Sequence, residues 1–356
     1  MADIYLRPTG FIESPQRFEG ASARLAGTML WFTQLEATTP TSRELIALSD
    51  WESRTSQLPS QAQTIFSRLT SPRTALKMGT RTVRLDQPQV MGILNCTPDS
   101  FSDGGKKGDD PAAIAASGVA MASSGAAIID IGGESTRPGA ALIWEGDEIK
   151  RIEPVIQRLA SSGTAISVDT RKAAVMEAAI AAGATMINDI SALLYDDRSV
   201  EVARSADVPV VLMHAPSQSS DPHKGGEYGD VVTEVYDWLD ARVDALEAAG
   251  IPRDRMIVDP GIGFGKSLTD NLNLINNLAL FHGIGCALLF GASRKRMIGA
   301  LSNEASVEDR LGGSIFLAMK AIEQGAHMVR VHDVPETVQA VHIWRGLRDA
   351  ALTMQI

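Results

Sequence analysis

Cysteine is scarce in this chain: Cys96 and Cys286 are the only two in 356 residues. Two distant thiols supply no disulfide framework, which fits a reducing compartment. Long apolar runs are missing too. No stretch approaches the ~20 consecutive apolar residues needed to span a bilayer. The start, Met1-Ala2-Asp3-Ile4-Tyr5-Leu6-Arg7, has no basic segment followed by an apolar core, so no export signal is read and a cytoplasmic protein is expected. Positive charge is in deficit, with 33 Lys plus Arg against 43 Asp plus Glu. The resulting net charge of −10 argues against nucleic acid or an anionic membrane as partner. It leaves a small anionic substrate open, because a local cluster of Arg and Lys can set the potential inside a cleft.

What is present is ordinary for a soluble enzyme: 44% hydrophobic and 21% charged residues. The length suffices for one large core, or for a barrel plus an appendage. Residues 1–81 read differently from the rest. Ile4–Leu6 suggests a short strand, and Ser42–Ser53 and Ser60–Leu69 have helical spacing behind candidate Ser caps. Trp31, Phe32, Trp51 and Phe66 indicate that this part packs on something. It is assigned as a small N-terminal appendage without chemistry.

From residue 82 a rhythm begins. After the hairpin-like Thr82–Leu85, short apolar runs at Gln89–Leu94, Ala127–Ile131, Ala165–Val168, Met186–Ile190, Val210–Met213, Met256–Val258, Ala287–Phe290 and Met328–Val331 read as strands. Ala-rich amphipathic segments lie between them, among them Ala112–Ser123, Lys172–Ala182, Val231–Ala249 and Val307–Gln324. Several close on Gly (Gly125, Gly183, Gly250, Gly325), the expected helix C-terminal residue. Eight βα units over 82–356 predict an α/β fold, a (β/α)8 TIM barrel. An open doubly wound sheet is the competitor. It would usually carry a G-x-G-x-x-G turn after its first strand, and none is there.

In such a barrel the active site lies at the C-terminal strand ends. Those ends carry Asn95, Asp130, Asp169, Asn188-Asp189, His214, Asp259, Ser293-Arg294-Lys295 and Arg330 with His332. Glu134-Ser135-Thr136-Arg137 follow shortly after the second. Two chemically distinct sides are expected. Asp169, Asn188 and Asp259 form a donor and acceptor set suited to the amino-pyrimidinone edge of a fused heterocycle. The same carboxylates would also serve as helix caps, Asp169-Thr170 in particular. A metal site ranks lower, because no His or Cys stands beside them at ligand spacing. On the other side, Arg137, Arg294, Lys295, Arg330 and His332 suit a phosphate or carboxylate, with the last two pointing the same way by alternation. Asp259-Pro-Gly-Ile-Gly-Phe-Gly-Lys266 lacks the ending of a P-loop. Its glycines, Gly263 among them, let backbone approach a flat ligand, with Phe264 lining the pocket. Lys295 could form a Schiff base only if strongly desolvated. The polar loop opened by Asn95 carries Asp99 and an apolar tip at Phe101; an ordinary turn with Asn95 as helix cap is the alternative.

These residues, taken together and in order, resemble the dihydropteroate synthase family. The matching motifs are Met91-Gly-Ile-Leu-Asn-Cys-Thr-Pro-Asp-Ser-Phe-Ser-Asp-Gly-Gly105, Gly125-Ala-Ala-Ile-Ile-Asp-Ile-Gly-Gly-Glu-Ser-Thr-Arg-Pro-Gly139, Ser167-Val-Asp-Thr170, Ile187-Asn-Asp-Ile190, Leu212-Met-His214, the 259–266 loop, Ser293-Arg-Lys295 and Arg330-Val-His-Asp333. The resemblance runs from about residue 82 to the C-terminus. It implies condensation of 6-hydroxymethyl-7,8-dihydropterin diphosphate with 4-aminobenzoate, releasing diphosphate, in a homodimeric enzyme. By resemblance, Asp169, Asn188 and Asp259 hold the pterin edge beside Lys295, while Arg330 and His332 bind the diphosphate. Asn95 helps hold a Mg2+ cofactor there, and Arg137 joins when its loop closes. Thr136, Pro138, Phe264 and Ser293 line the aminobenzoate pocket, Ser293 with its helix N-terminus receiving the carboxylate. Loops 95–107 and 132–145 complete that pocket after pterin binds, and Asp99 joins Lys295, Arg330 and His332 in catalysis. A methyltetrahydrofolate-dependent methyltransferase, a non-catalytic pterin binder and a Schiff-base aldolase are the rivals. Three departures from the family pattern stand out: residues 1–81, the run 215–226, and Cys96 at a position more often aliphatic, where a buried filler is expected over a reactive thiol.

Overall fold

A computed structural model of the chain describes residues 2–97, 110–137, 139–217, 219 and 221–353. The N-terminal part is built on β1 (Tyr5–Ile12), β2 (Ala23–Arg24), β3 (Trp31–Thr38) and β4 (Arg43–Ala47). β3 is central, antiparallel to β1 on one side and to β2 and β4 on the other. α1 (Trp51–Thr55) and α2 (Gln61–Thr70) follow. Ile4, Leu6, Phe32, Leu35, Ile46, Trp51, Ile65 and Leu69 share one small core. Helix is found as expected after Ser60. The helix expected over Ser42–Ser53 is corrected: Arg43–Ala47 is a strand, and only the end of that stretch turns helical. Pairing with the open edge of β3 satisfies five backbone positions there, which outweighs local helical spacing.

A hairpin, β5 (Leu76–Met78) and β6 (Arg81–Val83), comes next. Its Leu76, Met78 and Val83, with Leu85, pack against Met91, Ile128, Ala165, Met186, Val211, Ile257, Ala287 and Met328 of the barrel strands. The hairpin therefore plugs the bottom of the barrel, and the expected 81/82 boundary falls inside β6. The N-terminal unit is tied to the barrel wall by Tyr5 Oη donating to Asp237 (2.9 Å), an Arg68–Asp240 ion pair (3.2 Å), and Arg73 and Arg348 donating to backbone carbonyls of Cys286 and Met29.

The barrel elements are β7 (Gln89–Asn95), α3 (Pro111–Ser123), β8 (Ile128–Gly132), α4 (Glu145–Ser161), β9 (Ile166–Asp169), α5 (Ala173–Ala182), β10 (Met186–Asp189), α6 (Ser199–Ala206), β11 (Val210–Met213), α7 (Val231–Ala248), β12 (Met256–Asp259), α8 (Leu268–Asn276), β13 (Ala287–Phe290), α9 (Arg296–Leu301), α10 (Leu311–Ile322), β14 (Met328–Val331) and α11 (Val334–Thr353). The eight strands β7 to β14 are all parallel and close on themselves, β14 pairing with β7. This is the TIM barrel expected from the sequence. Each strand is a short apolar run buried on both faces, as a covered parallel sheet requires. α5 ends where expected, on Gly183 in the left-handed region (φ 114°). Cys96 is buried, and burial pushes its thiol up to about 12, so it is a filler and not a reactive group.

Candidate active site

Register builds the site. Asn95, Gly132, Asp169 and Asn188 are direct partners across β7, β8, β9 and β10, so they occupy one level at the C-terminal rim. Gly132 leaves a gap in that row: a Cβ there would stand 3.8 Å from both Asn95 Oδ1 and Asp169 Oδ2. Two positions inward along β8, and so on the same face, lies Asp130, fully buried. Its Oδ2 accepts from Asn188 Nδ2 (3.0 Å) and from Arg330 Nε (2.5 Å). Arg330 Nη2 donates to Asp169 Oδ2 (2.6 Å). Asp130 Oδ1 is buried and has no hydrogen-bond partner among the described residues. Asp130 was legible as a strand-end residue, yet pattern alone gave no reason to rank it above its neighbours.

The two expected sides are not separate. Arg330, grouped with the anion-binding residues, reaches across the barrel mouth from β14 to the carboxylates of β8 and β9. Burial pushes Asp169 up to about 7 while Arg330 pulls against it. Asp259 is likewise raised by burial, opposed first by Lys295. Its Oδ1 accepts from Gly261 N (2.7 Å), which turns the following loop. None of these carboxylates caps a helix as the alternative reading had it: Ala173 N, at the start of α5, donates to Asp196 instead (2.9 Å).

Lys295 crosses that loop. Its Nζ donates to the Ile262 carbonyl and lies 4.6 Å from the centre of the Phe264 ring. Gly263 makes room: a Cβ there would meet Lys295 Cδ at 2.8 Å. Burial lowers Lys295 to about 8, with Asp259 and Asp169 acting to raise it. Lys266 braces the same loop from within, donating to the carbonyls of Gly261 (2.9 Å) and Phe264 (3.2 Å) and lying 3.0 Å from His214 Nδ1. Burial first, then Lys266, depresses His214 to about 2, so that imidazole is neutral.

Ser293 does not cap a helix, as α9 starts only at Arg296. Its hydroxyl accepts from the His332 backbone N–H (3.1 Å) and lies 3.0 Å from His332 Nδ1. Burial, with Arg330 and Arg294 nearby, holds His332 near 4, so it too is neutral at pH 7. Arg294 is bound bidentately by Asp333 and is a strut rather than a free cation.

Thr136 and Arg137 sit apart from this cluster, in a surface cleft with Glu134, Arg171 and Asp221. Their loop is pinned by Lys172, which donates to Glu134 (3.1 Å), Glu148 (2.7 Å) and the Ile143 carbonyl (2.7 Å). The Thr136 carbonyl accepts from His223 Nε2 (2.9 Å), which brings in the 215–226 run that the sequence left without assignment. Asp99 and Pro138 lie outside the described residues.

Similarity to known proteins agrees with this geometry. The family model described as pterin binding enzyme matches residues 91–332. The dihydropteroate synthase of Escherichia coli is 44% identical over 260 residues, spanning 73% of this chain and 91% of that protein. A probable bifunctional folylpolyglutamate synthase/dihydropteroate synthase of Haloferax volcanii is 44% identical over 264 residues, 74% of this chain but only 31% of that longer protein. Among solved structures, Xanthomonas albilineans dihydropteroate synthase with 4-aminobenzoic acid superposes with a TM-score of 0.72 at 44% identity, covering 78% of this chain and 98% of that one. The same enzyme with 7,8-dihydropteroate gives 0.70 at 41% identity, covering 77% and 99%. A strand-end cluster of carboxylates, amide, Arg and Lys, on a barrel matched over most of its length, makes this chain a member of the dihydropteroate synthase family of pterin-binding enzymes.

Proposed function

We propose that the chain condenses 6-hydroxymethyl-7,8-dihydropterin diphosphate with 4-aminobenzoate to give 7,8-dihydropteroate and diphosphate. The observation that carries this reading is the Asp130–Asn188–Asp169 set bridged by Arg330, with Asp130 Oδ1 left without a partner among the described residues. A set of two carboxylates and an amide supplies the acceptors and donor that the alternating N–H and carbonyl edge of a pterin needs. Asp259 continues it, and Lys295 borders the ring. The electrophile is a CH2 on an electron-rich dihydropterin, so departure of diphosphate leaves a resonance-stabilised cation beside anionic carboxylates. Arg330 then opposes the negative charge that develops on the leaving group, with the neutral imidazole of His332 beside it. The amine of 4-aminobenzoate is largely neutral at pH 7 and needs no strong base. Thr136, Arg137, Phe264 and Ser293 are assigned to its side of the cleft, with Gly263 admitting Lys295 between the two subsites.

A Mg2+ ion is part of this proposal. Among the described residues no group of three His, Cys, Asp or Glu is placed to hold a metal. That donor set fits an ion that takes a single protein oxygen and fills its shell with substrate phosphate and water, the usual habit of Mg2+. Asn95, whose Oδ1 faces the gap at Gly132, is the residue that would hold it. When bound, the ion would neutralise charge on the diphosphate. The proposal extends to a cytoplasmic homodimer. Both cysteines are free, no helix among the described residues is long and apolar enough to cross a membrane, and Phe316 of α10 with Ile343 and Leu347 of α11 are exposed apolar side chains suited to a second copy.

The test is diphosphate release measured with both substrates and with each alone. Release should require both, and Asp169→Asn and Lys295→Ala should each lower it about 10²-fold or more. Pterin binding without release would return the chain to the non-catalytic alternative.

A further inference from the structure

In the run 215–226, after β11, His223 touches the two loops beside it. His223 stacks on Phe264, with ring centres 4.8 Å apart and planes 7° from parallel. Its Nε2 lies 2.9 Å from the Thr136 carbonyl, and because a carbonyl only accepts, Nε2 is the donor. The backbone N–H of His223 donates to Asp221 Oδ1 (2.9 Å), which turns the chain that carries the ring. The backbone around it is seated on the Phe264 loop. A Cβ on Gly226 would fall 1.7 Å from the Gly265 carbonyl oxygen, and one on Gly265 would meet Pro216 Cγ at 2.3 Å and the His223 carbonyl oxygen at 3.0 Å. Earlier in the same run, Arg171 Nη1 donates to the Ser219 carbonyl (3.1 Å). Three βα loops, those after β8, β11 and β12, thus meet at one imidazole.

We infer that His223 is a positioning residue for the aromatic amine substrate: it fastens the loop of Thr136 to the wall formed by Phe264. This rests on the reading of the function given above, since it takes Thr136 and Phe264 as the aminobenzoate side of the cleft. The pterin set is made by strand ends that His223 does not touch, so its effect falls on one substrate. The stack fixes the plane of Phe264, whose ring also lies beside Lys295 Nζ. The hydrogen bond sets how far the Thr136 loop stands from that ring. Neither contact involves a reacting atom, so the residue acts through its two neighbours.

Two measurements test this on the full-length protein. The first needs no activity. Hydrogen exchange is followed in the segment 134–143, where Arg137 N, Ala140 N and Ile143 N are hydrogen-bonded within the loop. His223→Ala should speed exchange there about five- to tenfold, and His223→Gln, which keeps an Nε2–H donor, should restore most of the protection. The second is steady-state kinetics. His223→Ala, and His223→Phe, which keeps the stack but loses the donor, should raise the KM for 4-aminobenzoate about five- to thirtyfold, as loss of a hydrogen bond or of an aromatic contact implies. The KM for the dihydropterin diphosphate should change by less than about twofold. An unchanged exchange rate at 134–143, or a KM rise shared by both substrates, or none in either, overturns the assignment. If the wild-type protein releases no diphosphate, the functional reading fails, while the exchange arm still decides whether His223 fastens the loop.

Discussion

Lys295 lies where it does because residue 263 has no side chain. An alanine there would press its Cβ to 2.8 Å from Lys295 Cδ and would have to adopt φ +81°, a conformation that costs a non-glycine residue about 1–3 kcal/mol. Gly263→Ala is therefore expected to lower diphosphate release about tenfold by moving Lys295 off the Ile262 carbonyl. Gly312→Ala in α10 is the control, since nothing stands within 4 Å of its would-be Cβ. It should keep full activity and gain a little thermal stability, as helical Gly→Ala changes do. Asp130 carries the complementary lesson. It is two residues below the row formed by Asn95, Asp169 and Asn188, and it became a site residue only because both Asn188 and Arg330 turn to it.

At the scale of elements, the β5–β6 hairpin does for the bottom of the barrel what the polar strand ends do for the top. Its alternation puts Leu76 and Met78 inward and Lys77 out, so two strands of three residues cover the inward side chains of the strands above. Met78 is among the largest fully buried side chains. Met78→Ala should destabilise the fold by about 2–5 kcal/mol, read as a lowered midpoint in urea or heat. The KM values of the folded enzyme should stay unchanged, because the cavity opens at the end of the barrel away from the rim. A parallel shift in KM would mean that the two ends are coupled.

For the molecule as a whole, buried imidazoles set how the fold responds to acid. Burial depresses His282 to about 3 and holds the adjacent His327 well below its ordinary value, with Arg73 acting the same way on both. The unfolded chain takes up these protons near pH 6.5 and the folded chain does not, so their contribution to stability is lost as pH falls below about 6.5. Asp169 and Asp189, raised by burial to about 7 and about 6, act in the opposite sense: they hold protons in the fold that the unfolded chain has released, and favour the fold as pH drops through those values. His282→Gln keeps a donor for the Gln324 carbonyl and removes one buried imidazole. Thermal midpoints taken between pH 7.5 and pH 5 should fall less steeply for this variant than for the wild type; an equal slope would remove His282 from the account.

The sequence by itself determined the eight strands, four of the helices between them (α3, α5, α7 and α10) and the polar residues that follow the strands. Those signals are local: a short apolar run reads as a buried strand, and the residue that breaks it stands at the rim. It did not determine β4, where pairing with β3 replaced the helix read from spacing. Nor did it determine the partners of Arg330, which lie 161 and 200 positions away, or the stack of His223 on Phe264 between two loops. Period fixes which face a side chain occupies, whereas only closure of the barrel fixes what stands opposite. That is why a row of polar strand ends could be read from the chain, while its division into acidic and basic sides dissolved into one bridged cluster once β14 was laid beside β7.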